Sequence, residues 1–208
     1  MKIYPLTLGP VQTATYIVSE NNKALVVDPA DSAQSIIKYL KTNQLQLEAI
    51  LLTHGHFDHI GAVNELTNQF NVPVYAHKKE QEYFEKPQVN LSTMMHAPFT
   101  LNESIQYQFL NDGEVFDVIG LPFKAFHVPG HTSGSLCYYE ATKGVVFTGD
   151  TLFNGAIGRT DFIYGDHAQL VKGIKTKLLT LPADTIVYPG HGDCSTVEYE
   201  ANHNMFLK

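Results

Sequence analysis

A chain of 208 residues suits one ordinary domain, with a core that needs neither disulfides nor a structural metal. Its formal charge of −7 disfavours a general binder of nucleic acid or of anionic membranes. No stretch approaches the ~18 apolar residues of a spanning helix, and two cysteines, Cys137 and Cys194, exclude a disulfide scaffold.

Short β-branched or aromatic runs between turn signals predict strands at 3–8, 15–19, 24–27, 49–53, 72–76, 105–109, 123–128, 135–139, 145–148 and 185–188. Asp112-Gly113 reads as a turn. Ser32 is placed as the N-cap of a helix to about residue 41, with Ile36, Ile37 and Leu40 on one apolar face. A second helix is expected over 60–70, with Ile60, Val63 and Leu66 or Thr67 on one stripe. A short helix is expected over 79–84, and a longer one over 167–179 carrying Leu170, Val171, Ile174 and Leu178. Strands come first in a block and then alternate with helices. This predicts an α/β protein of two mixed β-sheets with outer helices. No linker separates two units, so residues 1–208 are expected to form a single domain. The N-terminus has one Lys and then Pro, Thr and Gly in place of an apolar signal core, and a cytoplasmic protein is expected.

Ten histidines against no tryptophan mark where the chemistry lies. Thr53-His54-Gly55-His56-Phe57-Asp58-His59-Ile60-Gly61 joins the end of an apolar strand to the start of a helix. An extended backbone at His54–His56 points both imidazoles the same way, and Asp58 and His59 follow after a bend. Imidazole and carboxylate are standard ligands for zinc and other first-row ions, without any need for cysteine. Three crowded imidazoles without a cation would repel when protonated. Three later strands end in the same grammar of glycine beside one ligand residue: Pro129-Gly130-His131, Thr148-Gly149-Asp150 and Pro189-Gly190-His191.

In this order, His-x-His-x-Asp-His, Pro-Gly-His-Thr-x-Gly-Ser, Thr-Gly-Asp-Thr and Pro-Gly-His-Gly resemble the metallo-β-lactamase-fold hydrolases over residues 53–192. The resemblance implies a four-layer αβ/βα sandwich with the site along one edge. It implies two divalent metal ions, zinc foremost, with iron or manganese as alternatives. His54, His56 and His131 would hold the first ion, Asp58, His59 and His191 the second, and Asp150 would bridge them. A metal-bridging hydroxide would attack the substrate carbonyl, with Asp58 orienting it and carrying a proton to the leaving group.

The run Gly158-Arg159-Thr160-Asp161-Phe162 resembles the short hydroxyacylglutathione hydrolase (glyoxalase-two-like) branch and its relatives, the persulfide dioxygenases. The implied activity is hydrolysis of a thioester such as an S-acyl-glutathione. The alternative is a mononuclear-iron persulfide dioxygenase. Long hydroxyacylglutathione hydrolases add a C-terminal helical domain that grips glutathione, and none is expected here. The implied partner is a small-molecule thioester, with no nucleic acid and no membrane, for a monomer or homodimer. Arg159 stands where a family cation meets the thioester, and its alternative role is a local ion pair with Asp161. His127 is read as a packing residue, and His77, His96, His167 and His203 as surface or capping residues. Cys137 is read as core. Met94-Met95, Tyr138-Tyr139 and Tyr164 are read as core or surface before pocket wall.

Overall fold

Strand-forming runs become two six-stranded sheets stacked face to face. The computed structural model describes residues 1–208. The first sheet contains β1 (Lys2–Leu8), β2 (Thr13–Glu20), β3 (Lys23–Val27), β4 (Gln46–Leu51), β5 (Val74–Ala76) and β6 (Tyr107–Phe109), side by side in chain order. β1, β2 and β3 pair antiparallel, whereas β3 to β6 run parallel. The second sheet contains β7 (Val115–Val118), β8 (Leu121–His127), β9 (Leu136–Glu140), β10 (Val145–Gly149), β13 (Ile186–Pro189) and β14 (Ser195–Thr196). Its spatial order is β14-β13-β10-β9-β8-β7, and only β10 and β13 are parallel. A two-stranded ribbon of β11 (Leu152–Phe153) and β12 (Ala156–Ile157) lies beside them.

Burial follows the period of two expected of strands with a core on either face. Tyr16, Val18, Leu25, Val27 and Leu51 of the first sheet meet Phe123, Leu136, Tyr138 and Phe147 of the second. The opposite face of the first sheet, with Ile17, Val26 and Ile50, packs under α1 (Ala33–Thr42) and α3 (Val63–Phe70). Val146 and Val187 on the far side of the second sheet pack under α5 (His167–Gly173). The layers therefore run helix, sheet, sheet, helix, which is the expected αβ/βα sandwich. Hydrogen bonds tie the sheets together: Tyr138 Oη donates to the Leu52 carbonyl at 2.7 Å, and Tyr16 Oη to the Pro189 carbonyl at 2.6 Å.

Several local expectations are corrected. Ser32 adopts a left-handed φ of 49° and makes no side-chain cap bond, so α1 starts at Ala33 without it. The helix expected over 60–70 is two helices, α2 (Phe57–Ile60) and α3. Between them Gly61 presses on residue 30, where a Cβ would come within 2.2 Å of the Ala30 carbonyl oxygen. The Ala62 amide donates to the Pro29 carbonyl at 2.9 Å, which holds the break. The helix expected over 167–179 becomes α5 followed by a wider π turn at Ile174–Leu178. The helix expected over 79–84 begins as a 3₁₀ turn, Lys78–Glu80, and continues as α4 (Gln81–Glu85). α6 (Val197–His203) was not expected; Thr196 caps it by accepting from the Tyr199 amide at 3.2 Å. No helix is long and apolar enough to cross a membrane.

Candidate metal centre

Parallel neighbours finish at the same edge of a sheet, and this gathers the site. β3 and β4 pair Val27 with Leu51, so Asp28 and the Thr53-His54 segment leave the first sheet together. β10 and β13 pair Gly149 with Pro189, so Asp150 and His191 leave the second sheet together. α2 begins at Phe57, three residues earlier than expected, and so places Asp58 and His59 in its first turn. His131 comes from the loop between β8 and β9.

All seven predicted side chains converge. His54, His56 and His131 form one cluster, and Asp58, His59 and His191 a second, each with ligand atoms within 4.8 Å of one another. Asp150 lies between them: its Oδ1 is 3.2 Å from His59 Nε2 and 3.6 Å from His191 Nε2, and its Oδ2 is 3.7 Å from His131 Nε2. Asp58 Oδ2 is 3.4 Å from His59 Nε2 and 3.2 Å from His191 Nε2. Glycine 190 is what permits the approach, because a Cβ there would come within 2.3 Å of Asp150 Oδ1.

Hydrogen bonds at the far ring nitrogens fix the tautomers. A carbonyl only accepts, so His131 Nδ1 donates to the Arg159 carbonyl at 2.8 Å and leaves Nε2 with its lone pair. His59 Nδ1 is 2.9 Å from Asp28 Oδ2 and donates to it, which turns Nε2 toward Asp58 and Asp150. His56 Nδ1 stands 3.0 Å from His131 Nε2. His54 Nε2, His59 Nε2 and Asp150 Oδ1 are buried without a hydrogen-bond partner. Orphaned buried acceptors are costly unless a cation or water meets them.

Electrostatics favour the ligand forms of His54, His56, Asp58 and Asp150 and charge His59 and His191, the imidazoles that face the carboxylates. Burial, together with the surrounding imidazoles, pushes His54 well below its ordinary range, and burial with His131 pushes His56 down to about 3. Burial opposes charge on His59, but Asp58, Asp150 and Asp28 outweigh it and raise the ring well above its usual value. Burial also opposes ionisation of Asp58 and Asp150, yet His59 holds both carboxyls below the ordinary carboxylate range. Burial likewise opposes charge on His191, but Asp58 and Asp150 raise it. Neutral His54 and His56 and the ionised carboxylates are the donors a divalent metal takes, whereas His59 and His191 would each release a proton to a cation that replaced it. The donor set therefore fits a metal-binding site.

Sequence reasoning missed the residues that hold this set. Asp28 is buried, accepts from the Thr53 amide at 2.8 Å and from Thr53 Oγ1 at 2.6 Å, and orients His59. Its only sequence signal is a carboxylate directly after an apolar strand. Thr13 Oγ1 donates to Asp58 Oδ2 at 2.8 Å. Glu80 is fully buried between two ligand-bearing loops: it accepts from the Gly55 amide at 2.7 Å, the Gly134 amide at 2.8 Å and Thr132 Oγ1 at 2.6 Å. Burial pushes its carboxyl up to about 7, against the pull of those three donors.

The remaining assignments sort cleanly. Arg159 makes the local ion pair, with Nε 2.9 Å from Asp161 Oδ1 and Nη2 2.7 Å from Oδ2, while also reaching the cavity above the cluster. His127 and His77 stack on each other with ring centres 4.0 Å apart, away from the cluster, and His77 caps the turn at Lys78–Glu80. His96, His167 and His203 are exposed, Cys137 and Tyr138 are core, and Tyr164 is exposed. Met94 and Met95 are exposed, as the surface reading has it, and they also line a cavity of about 460 Å³ whose floor includes His56, Asp58, His131, Asp150 and His191.

A family model described as the metallo-beta-lactamase superfamily matches residues 8–191. YqgX of Bacillus subtilis strain 168, named a probable metallo-hydrolase, is 37% identical over 207 residues, covering 100% of this chain and 98% of that protein. GloC of Haemophilus influenzae, named a hydroxyacylglutathione hydrolase, is 35% identical over 208 residues, covering 100% and 97%. Among solved structures, the BLEG-1 B3 metallo-β-lactamase superposes with a TM-score of 0.95 at 41% identity, covering 100% of both chains. TTHA1623, solved in a di-iron-bound form, superposes with a TM-score of 0.88 at 35% identity, covering 98% of this chain and 100% of that one.

Proposed function

The chain belongs to the metallo-β-lactamase superfamily of hydrolases, and on that footing we propose a binuclear metallohydrolase acting on a thioester. The observation that carries the reading is the pair of triads, His54/His56/His131 and Asp58/His59/His191, facing each other across Asp150 on the floor of an open cavity. Each triad would hold one divalent ion, zinc foremost, and Asp150 would serve both. Ions there supply a Lewis acid for the substrate carbonyl and a water activated at neutral pH. The likeness to GloC supports a thioester as the bond broken, and the di-iron relative supports iron as an alternative metal.

The chain's own groups have separable tasks. Asp58, held ionised and fixed by Thr13 at Oδ2, would orient the attacking water and take up its proton. The carbon–oxygen bond forms, the carbon–sulfur bond breaks, and that proton passes to the leaving thiolate. The products are a carboxylic acid and a thiol. Asp28 and the Arg159 carbonyl keep His59 and His131 in the tautomers that aim their lone pairs inward. Phe57, Phe153 and Phe162 line the walls and limit water around the reacting bond.

The test joins metal analysis of the purified protein to hydrolysis of S-D-lactoylglutathione and of acyl thioesters of N-acetylcysteamine. Two ions per chain with thioester turnover supports the reading. One iron per chain, with oxygen consumed in the presence of glutathione persulfide, replaces it with a persulfide dioxygenase.

A further inference from the structure

The cavity above the His/Asp floor is greasy and nearly uncharged. Phe57, Phe153, Phe162, Ile157, Met94 and Met95 form its walls. Met94 is 67% and Met95 41% exposed, so two flexible apolar side chains face open water beside the site. Phe57 and Met95 also border a second depression of about 250 Å³, lined by Pro10, Ala30, Ala97 and Phe99 and by the carboxylates of Asp31 and Asp58, so an apolar strip continues past the first cavity beside two acidic groups. Cavities of roughly 300–1,000 Å³ with apolar walls and few polar groups are the usual seat of small apolar ligands. Methionine suits a surface that must adapt to chains of varied shape.

Cations for glutathione's carboxylates are scarce here, although Asp31 in the second depression could face its ammonium. A glutathione thioester brings two carboxylates and an ammonium. Arg159 is the only Lys or Arg lining either depression. Its guanidinium already makes a two-point hydrogen bond with Asp161 and lies over the Phe162 ring, 4.4 Å from its centre. Asp161 pairs with that charge in open solvent, and the guanidinium stacks on Phe162 in the wall.

Resting on the thioester reading above, we infer that this site selects thioesters by an apolar, uncharged acyl chain, seated on Phe57, Met94 and Met95, and offers no unpaired cation to the carboxylates of a glutathione carrier. Each buried methylene should raise kcat/KM by roughly threefold to fourfold until the groove is filled. Met94 and Met95 are specificity determinants; the His/Asp floor is common to every substrate.

The experiment measures kcat/KM of the metal-loaded enzyme for acetyl, butanoyl, hexanoyl and octanoyl thioesters of N-acetylcysteamine. It also compares D-lactoyl on N-acetylcysteamine with D-lactoyl on glutathione. Octanoyl is expected to exceed acetyl by more than tenfold, with the two lactoyl esters within fivefold of each other. The Met94→Gln/Met95→Gln variant is expected to shrink the octanoyl-to-acetyl ratio at least fivefold. An octanoyl-to-acetyl ratio of ten or less, a glutathione preference above fivefold, or a ratio that survives the double substitution would overturn the inference and leave the thioester reading standing. Failure to turn over any thioester would instead defeat that reading. Calorimetric titration with the uncleavable thioethers S-octyl- and S-methyl-N-acetylcysteamine then decides the apolar seat: tighter S-octyl binding upholds it, and equal or weaker binding removes it.

Discussion

Asp58 meets Thr13 on one side and His59 and His191 on the other, and in the proposed reaction it links the fold to the attacking water. Asp58→Asn keeps the shape but loses the proton acceptor, and thioester kcat should fall roughly 10²–10⁴-fold. Steady-state assays at saturating metal check this; wild-type kcat in the variant contradicts it. Asp28 acts one shell further out, through its bond to His59 Nδ1. Asp28→Ala should weaken binding of the ion at Asp58, His59 and His191 by roughly 10–100-fold. Zinc titration by calorimetry should show one affinity fall while the other holds. The seven clustered residues were legible in the sequence because four short motifs each place a ligand-type side chain next to a strand end. Asp28, Thr13 and Glu80 were not, because each acts on a partner 25 or more positions away and no local pattern announces that. Arg159 was legible too, with its ion pair to Asp161 as one of its two expected roles, because the partners stand two positions apart.

Among the elements, the 3₁₀ turn at Lys78–Glu80 matters more than its length suggests. Glu80 fastens the Gly55 amide of one ligand loop to the Gly134 amide of another. Its carboxyl titrates near 4.5 when exposed and at about 7 when buried in the fold. Between those values the folded chain keeps a proton that the unfolded chain has released. Stability therefore falls as pH rises through that window, by on the order of 1–3 kcal/mol. The Thr132 and Ser135 hydroxyls, 2.7 Å apart, can reverse direction and satisfy either protonation state of Glu80. Urea unfolding of the metal-free chain at pH 5 and pH 7.5 checks the effect against Glu80→Gln, which has no such titration. Wild type should lose stability relative to the variant on going to pH 7.5; parallel behaviour contradicts the assignment. Element positions were readable from apolar periodicity, while element ends were set by contacts that periodicity does not encode. The break at Gly61 comes from the Pro29-Ala30 segment wedged beneath it, and β11, β12 and β14, two residues each, are too short to show any period.

At the scale of the whole molecule, the two sheets each supply half of the site, so their register is part of its geometry. Tyr138 Oη and Tyr16 Oη hold that register from opposite sheets, at the Leu52 and Pro189 carbonyls. Tyr138→Phe should cost about 1–2 kcal/mol, read as a lower urea midpoint, because a buried carbonyl loses its donor. An unchanged midpoint contradicts that role. The layered architecture was legible because strands buried on both faces alternate with one-sided helices. The pairing of β10 with β13, and hence the meeting of Asp150 with His191, depends on a parallel partnership across about 40 residues that no local signal carries. The central claim is that seven side chains from both sheets hold two metal ions. An anomalous diffraction map from crystals of the zinc-loaded protein tests it most directly. It should show two peaks per chain, one among His54, His56 and His131 and one among Asp58, His59 and His191, with Asp150 touching both. No peak at this edge of the sandwich, or ions bound elsewhere while these seven side chains stay free, would contradict it.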